Sequence, residues 1–517
     1  MVERGGVGSR WALGAILGAT FMLLVDVTIV QVALPSIQRD LHAGFAGLQW
    51  VIDAYALTLA ALLLSAGTLA DRFSRKNVFL GGVVLFTLAS LACGLATTPA
   101  ALDISRAVQG VGGAAMFTTS LALIGQEFEG NARHTAFALY GATIGGAVAI
   151  GPLLGGALTE WISWHWVFYV NVPIGVVVFA AAAVSVRSVR DPHAVHADVA
   201  GLVTFSGSLF LFVYGLLRGN DDGWTSGTIV AVLAGAAVLL AAFVVVELRQ
   251  PRPMFDLSLL RKPAFTGVSL GTFAIGAGMF SLFPYLTLYF QNILGYAPLQ
   301  SGLRLLPITA LVFVVPVLSR RVAARVPPGT MLGVGLALVF AGLLLMHGVG
   351  VHSRWTVLLP GMLVCGLGVG LSNPAIGHLA LAVVPPQRAG MASGISNTMR
   401  IGGLTTGVAA LGALLQHRIA TRVHDLLPAA PHALANAVAS GGTRAAAALV
   451  APADRAHAAA VAHSAFVSGL DLVLLVSATA LALGALAVAA FVRPAQVARA
   501  AAAAPAPAPE TPPVLDS

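Results

Sequence analysis

The sequence predicts an all-α integral membrane protein that crosses the bilayer with 14 transmembrane helices. Three observations carry that prediction: 58% of the 517 residues are apolar and only 9% charged, mean hydropathy is +0.89, and the apolar residues fall into fourteen span-length runs. A soluble domain carries about 25% charged residues, so this chain cannot coat a globule of its size with polar surface. Roughly 300 apolar residues, divided into spans of about 20, leave little chain for a large soluble catalytic unit. The net charge of +8 and pI near 10.1 do not mark a nucleic-acid binder. The basic residues sit in short clusters between apolar runs, as membrane topology requires.

Bounded by charge, proline or glycine, the runs cover 11–36, 48–70, 77–97, 100–125, 135–159, 167–187, 199–217, 228–248, 264–290, 301–320, 330–350, 355–384, 389–415 and 466–492. The first is too long for a signal peptide and contains Asp26, so it reads as a retained helix. An even count puts both termini on one side. Of the 28 Lys and Arg, 18 fall on that side, seven on the other and three within spans. Four of the seven (Arg418, Arg422, Arg444, Arg455) lie in one long loop, about 416–465, where the positive-inside bias loses force. Residues 1–10 and the tail are therefore expected in the cytoplasm and the loop outside it. The tail, 493–517, contains AAAAPAPAPETPP and is expected to be disordered. Cys93 and Cys365 lie inside apolar runs without metal or disulfide partners and read as core residues.

Residues Gly67 to Lys76, GTLADRFSRK, join the second and third runs; SRRVAARVPPG joins the tenth and eleventh, eight helices later. This faint repeat predicts two six-helix bundles, 11–187 and 264–492, with two helices and their loops inserted at 188–263. Paired halves with a site between them are how many secondary transporters are built.

A charge at the bilayer centre costs roughly 2.5–3.5 kcal/mol, so an intramembrane ion is a functional candidate with a partner. At 1.5 Å rise per residue, Asp26 lies about 14 Å from the outer end of its helix, and Asp53 and Arg106 about 8–10 Å from theirs. Asp26, Asp53 and Arg106 are predicted to share one proton-coupling cluster, with Asp103, one turn before Arg106, as a further partner. Burial and a neighbouring guanidinium act oppositely on a carboxyl's hold on its proton, so moving either lets it load or release one. The plain structural alternative is a static ion pair that fixes helix packing. Asp103, Asp471 and Arg304 are shallow and read first as wetted helix ends. Arg400 lies about 16 Å into its helix with no comparably deep acid in its half, so it is expected to face a cavity, a substrate or the other half. Gln31, Tyr55, Asn292, Asn373 and Asn397 are the remaining substrate or cavity candidates, and interhelical hydrogen bonding is the competing role. The fifth run, GATIGGAVAIGPLLGGAL, permits close helix approach at Gly151, Gly155 and Gly156, and Pro152 removes a backbone hydrogen bond. Span thirteen carries a comparable glycine set.

Together these features resemble the major facilitator superfamily, and within it the fourteen-helix drug:proton antiporters of the EmrB/QacA type, over about 11–492. LVDVTIVQVALP, 24–35, is similar to that subfamily's first-helix motif with its aspartate at Asp26; Gln31 stands where Asn is usual. LQWVIDAYAL, 48–57, resembles its second helix. Gly67, Asp71, Arg72, Arg75 and Lys76 match the superfamily's loop motif, with Ser74 replacing the customary Gly. RAVQGVGGAA, from Arg106, resembles the fourth-helix motif whose Arg is linked to proton transfer. IGPLLGG, 150–156, resembles the antiporter motif, and WHWVFYVNVPIG, 164–175, the segment entering the sixth helix.

The resemblance implies alternating access in a bacterial inner membrane, with the loop and glycine motifs as the conformational gate. It implies export of a small hydrophobic or amphipathic drug, antibiotic or metabolite, driven by inward proton flow. The expected partners are that substrate, protons and lipid; a monomer without cofactor or metal is expected, and no nucleic acid. A proton symporter importing a nutrient is the nearest alternative. A membrane sensor or enzyme is the other, but the chain carries no phosphate-binding loop, metal-ligand spacing or nucleophile with a base.

Overall fold

The computed structural model describes residues 7–188, 198–250, 253–319, 325–351, 353–382, 389–428 and 432–492. Fourteen of its helices are long and apolar enough to cross a membrane. They are α1 (Val7–Leu41), α2 (Phe45–Phe73), α3 (Arg75–Gly94), α4 (Pro99–Glu127), α5 (Gly130–Trp161), α6 (Trp166–Ser185), α7 (Val199–Asp222), α8 (Gly227–Arg249), α9 (Pro263–Ile293), α10 (Pro298–Leu318), α11 (Pro328–Met346), α12 (Leu359–Ala382), α13 (Ala389–Leu426) and α15 (Arg455–Phe491). A further helix, α14 (His432–Ala448), lies between the last two. The expected tail, 493–517, lies outside the described residues.

Local chemistry sets several helix starts. Thr98 accepts from Ala101 N at 3.2 Å ahead of Pro99, and Asp198 accepts from Gly201 N at 2.8 Å to open α7. Each occupies an N-cap, satisfying an amide that lipid could not. Between α2 and α3, Ser74 adopts φ 102°, a conformation that glycine takes freely and side chains rarely do. Its hydroxyl lies 2.9 Å from that of Ser188, a bond that offsets part of the strain.

The packing repeats. In the first bundle α1 packs on α5 and α6, α4 on α2 and α3, and α3 on α6. In the second, α9 packs on α13 and α15, α12 on α10 and α11, and α11 on α15: the same five pairs, eight helices on with α14 skipped. The bundles meet along two seams, α5 against α10 and α2 against α13. The inserted hairpin α7–α8 lays α7 over the α2/α13 seam. There Trp50 packs on Phe210 and Tyr214, with ring centroids 5.9 and 6.4 Å apart. Leu57, Val213, Leu217 and Ala409 form a small core beneath them.

The ends of α1, α3, α5 and α7 lie on one face, called here the far face; α1 starts on the near face. On the far face the structure departs from the expected 416–465 loop. Helix α13 continues to Leu426, α15 already starts at Arg455, and α14 folds between them. Alanine-rich sequence reads as loop only when no apolar surface receives it. Here Leu434, Val438 and Ala439 are buried on α13, α15, the end of α9, and also α1 and α2.

Candidate proton-coupling and substrate site

Asp26 is fully buried near the middle of α1. Its carboxylate is ion-paired with the Arg106 guanidinium from α4. The other oxygen accepts from Gln109 Nε2 at 2.9 Å and from Asn171 Nδ2 at 3.0 Å. Arg106 donates through Nε to Val51 O at 2.9 Å, and through Nη1 to Gln109 Oε1 at 2.7 Å. Its guanidinium lies 4.3 Å from the Tyr55 ring centroid and 5.7 Å from that of Phe168. Asn171 is anchored by Ser90 Oγ at 3.0 Å, and Ser90 in turn by Phe168 O at 2.9 Å. Five helices thus converge on one ion pair, α1, α2, α3, α4 and α6, and each supplies a buried polar group or backbone acceptor. Such a site is stable while complete: removing one partner of a buried ion pair costs about 3–5 kcal/mol, because the other charge is left uncompensated.

Gln109 and Asn171 were not among the residues singled out from sequence. Both stand inside segments that were, RAVQGVGGAA and WHWVFYVNVPIG; Gln109 is three residues after Arg106, hence on the same helix face.

Asp53 departs from expectation. It lies at the depth predicted, yet forms no ion pair with Arg106 among the described residues. Its carboxyl is fully buried and neither oxygen has a hydrogen-bond partner. One turn away on α2, Gln49 donates to Val408 O on α13 at 2.7 Å and to the Tyr285 hydroxyl on α9 at 3.2 Å; Tyr285 itself donates to Val408 O. Residues 49 and 53 share a helix face, so Asp53 belongs to the seam between the bundles and not to the Arg106 cluster. Asp103 likewise makes no ion pair with Arg106 among the described residues. Asp471 pairs with His347 at 3.1 Å and accepts from Gly348 N at 2.6 Å, and Arg304 stacks 3.5 Å over Tyr296.

Beside the Asp26–Arg106 pair lies a central cavity of about 100 Å³, lined from α1, α2, α4 and α5 on one side and α9 and α13 on the other. Gln31, Tyr55, Arg106 and Arg400 face it, as does Thr28; the rest of the lining is apolar, including Phe117, Phe280 and Phe283. The Gln31 Oε1 has no partner. Helix α9 widens into a π turn at Ile275–Met279 just before Phe280, the kind of irregularity that clusters at functional sites. Two expected cavity residues sit elsewhere. Asn292 donates to Ser440 O at 2.8 Å and holds α14, and Asn373 is not among the lining residues. Asn397 does not line it either, but accepts from Arg400 Nη2 at 2.6 Å and so positions that guanidinium. Among the described residues no group of three metal-ligating side chains comes together.

Of the gate candidates, Gly151 and Gly155 pack on α1, where an added Cβ would meet Thr28 Cβ at 2.8 Å and Ile29 C at 3.1 Å. Gly156 faces the other bundle, with Leu299 Cα 2.7 Å from where its Cβ would be, and the Pro152 carbonyl carbon lies 3.0 Å from the corresponding point of Gly302. Arg75 opens α3. The side chains of Gly67, Asp71 and Arg72 lie outside the described set.

Two repeated six-helix bundles enclosing a cavity, with a buried ion pair beside it, define a secondary transporter. A profile of the Major Facilitator Superfamily matches residues 16–408, and the chain belongs to that superfamily. Its fourteen spans fit the fourteen-helix drug:proton antiporter subfamily. It is 35% identical to the multidrug resistance protein Stp of Mycobacterium tuberculosis (strain CDC 1551 / Oshkosh), over 89% of this chain and 88% of that one. It is 36% identical to the tetracenomycin C resistance and export protein of Streptomyces glaucescens, over 95% and 93%. Among solved structures, a bacterial homologue of the human lysosomal transporter Spinster, in an inward-facing and unoccupied conformation, superposes with a TM-score of 0.61 at 17% identity, covering 96% of this chain and 99% of that one. That likeness shows the shared fold.

Proposed function

We propose that this chain exports drugs, antibiotics or hydrophobic metabolites across a bacterial inner membrane by alternating access, driven by proton entry. Both termini face the cytoplasm in this reading, which the distribution of Lys and Arg supports, so the far face is extracytoplasmic. The observation that carries the proposal is the buried Asp26–Arg106 pair beside a cavity that both bundles line. The names of the relatives supply the direction of transport.

Protonation from outside neutralises Asp26 and dissolves the ion pair. Arg106 then keeps Val51 O and Gln109 but loses its counter-charge, so the bundle repacks and the cavity turns inward. Release of the proton to the cytoplasm restores the pair. Substrate taken from the inner side is discharged as the far face opens. Asp53 is the second proton candidate, since its unpartnered carboxyl lies against the seam that must part.

The test is Asp26→Asn in everted membrane vesicles. Gradient-driven substrate uptake should be abolished, while the variant still folds and binds substrate; uptake at the wild-type rate would refute the coupling assignment. Depletion of substrate from intact energised cells supports export, and accumulation would instead establish import.

A further inference from the structure

The cavity's charge is unbalanced. Its lining holds no acid: Asp26 is turned away and saturated by Arg106, Gln109 and Asn171, and Asp53 faces the Gln49–Tyr285 seam. Arg106 is neutralised by Asp26. Arg400 remains. It lines the cavity, and the one hydrogen bond described for it goes to the neutral Asn397 amide. No carboxylate lies within ion-pair distance of it among the described residues. A guanidinium carries five N–H donors in a planar fork, so most of its donor capacity faces a space otherwise walled by Leu23, Val27, Phe117, Phe280, Phe283 and Leu404. Intramembrane charge without a protein partner is costly; a ligand that supplies the missing charge recovers that cost, whereas a cationic ligand adds to it.

We propose that the cavity is built for an amphipathic anion: an apolar, preferably aromatic body carrying one carboxylate, sulfonate or ionised phenol, with Arg400 as its counter-charge. Asn397 is a positioning residue that holds the guanidinium toward the cavity, and Gln31 offers an unused carbonyl oxygen to a hydroxyl or amide on the same ligand. With a volume of about 100 Å³ in this arrangement, the cavity must widen as the bundles part to admit a drug-sized compound. This assignment of substrate class rests on the export reading above.

Three probes of one shape separate charge from hydrophobicity: 2-naphthylacetate, 2-naphthylacetamide and 2-(2-naphthyl)ethyltrimethylammonium. Binding to the purified full chain is read as thermal stabilisation against probe concentration, and transport as uptake into energised everted vesicles. The anion should bind at least about tenfold tighter than the amide, as a charge-assisted bidentate contact provides, and the cation more weakly than either. Arg400→Gln should bring the anion-to-amide ratio to about one, and Arg400→Lys, which keeps the charge without the bidentate fork, should restore part of it; comparing ratios cancels membrane partitioning. The proposal is overturned if the cation binds as tightly as the anion, if the anion does not bind, or if Arg400→Gln leaves the ratio unchanged. It is also overturned if that variant loses all three probes together, since Arg400 is then a structural residue. Uptake distinguishes the two readings. An anion bound through Arg400 but never moved by the gradient defeats the export reading alone. Export of the amide or cation with no binding of the anion defeats the charge assignment alone.

Discussion

At the residue scale, the Asp26 carboxylate is held by a set of donors that charge counting does not reveal. Asn171 matters because its amide links Asp26 on α1 to Ser90 on α3. Asn171→Ala leaves both without that donor, and hydrogen bonds to charged groups contribute about 1.5–3 kcal/mol. The variant is expected to lose stability of that order in thermal or denaturant unfolding, and to slow gradient-driven uptake more than it weakens equilibrium substrate binding. Equal losses in both would make Asn171 a packing residue only. The separation of Asp53 from Arg106 has a simple cause. Counting residues along a helix measures depth, and both lie at similar depth; it does not measure which way each helix is turned.

At the element scale, the far-face seams depend on backbone contact. A methyl group on Gly156 would lie 2.7 Å from Leu299 Cα and 3.0 Å from its nitrogen. Backbone cannot yield as a side-chain tip can, and overpacking of this kind costs about 1–3 kcal/mol. That cost falls on the arrangement in which the far face is shut. Gly156→Ala should therefore populate the far-open arrangement, raising the reactivity of a cysteine placed at Gln31 toward a membrane-impermeant maleimide added from that side by about fivefold or more. Unchanged reactivity would show that this seam does not gate. Gly412 plays the same part at the other seam, where a Cβ would meet Gln49 Cδ at 2.6 Å and the Tyr285 hydroxyl at 2.7 Å. Gly412→Ala should displace Gln49 from Val408 O and raise the same reactivity. Helix α14 had no such signature in sequence, since its Ala-rich stretch gains its stability from the surfaces on which it packs.

At the scale of the whole molecule, three hydrogen bonds between the bundles lie toward the far face: Gln49 to Val408, Gln291 to Val32 O at 2.8 Å, and Leu299 N to Glu160 at 2.9 Å. A transporter that alternates must break these together. Joining Glu160→Cys to Leu299→Cys with a short thiol-reactive linker should stop transport, and cleaving the linker should restore it; transport that survives complete cross-linking would rule out separation of the bundles at this point. The repeated packing pairs explain why two seams exist, since each joins the second helix of one repeat to the fifth of the other.

What the sequence determined by itself was the number of spans, most of their approximate ends, the intramembrane charges and the depths of Asp26, Asp53 and Arg106. Each follows from a one-dimensional quantity: the free energy of placing apolar or charged groups at a given depth in lipid. Tertiary structure alone decided that Gln109 and Asn171 complete the Asp26 site, that Asp53 faces the other bundle, that Asn292 holds α14, and that Arg400 opens on the cavity without an acid. These depend on the rotation of each helix about its axis, which lipid scarcely distinguishes and which packing against neighbouring helices sets.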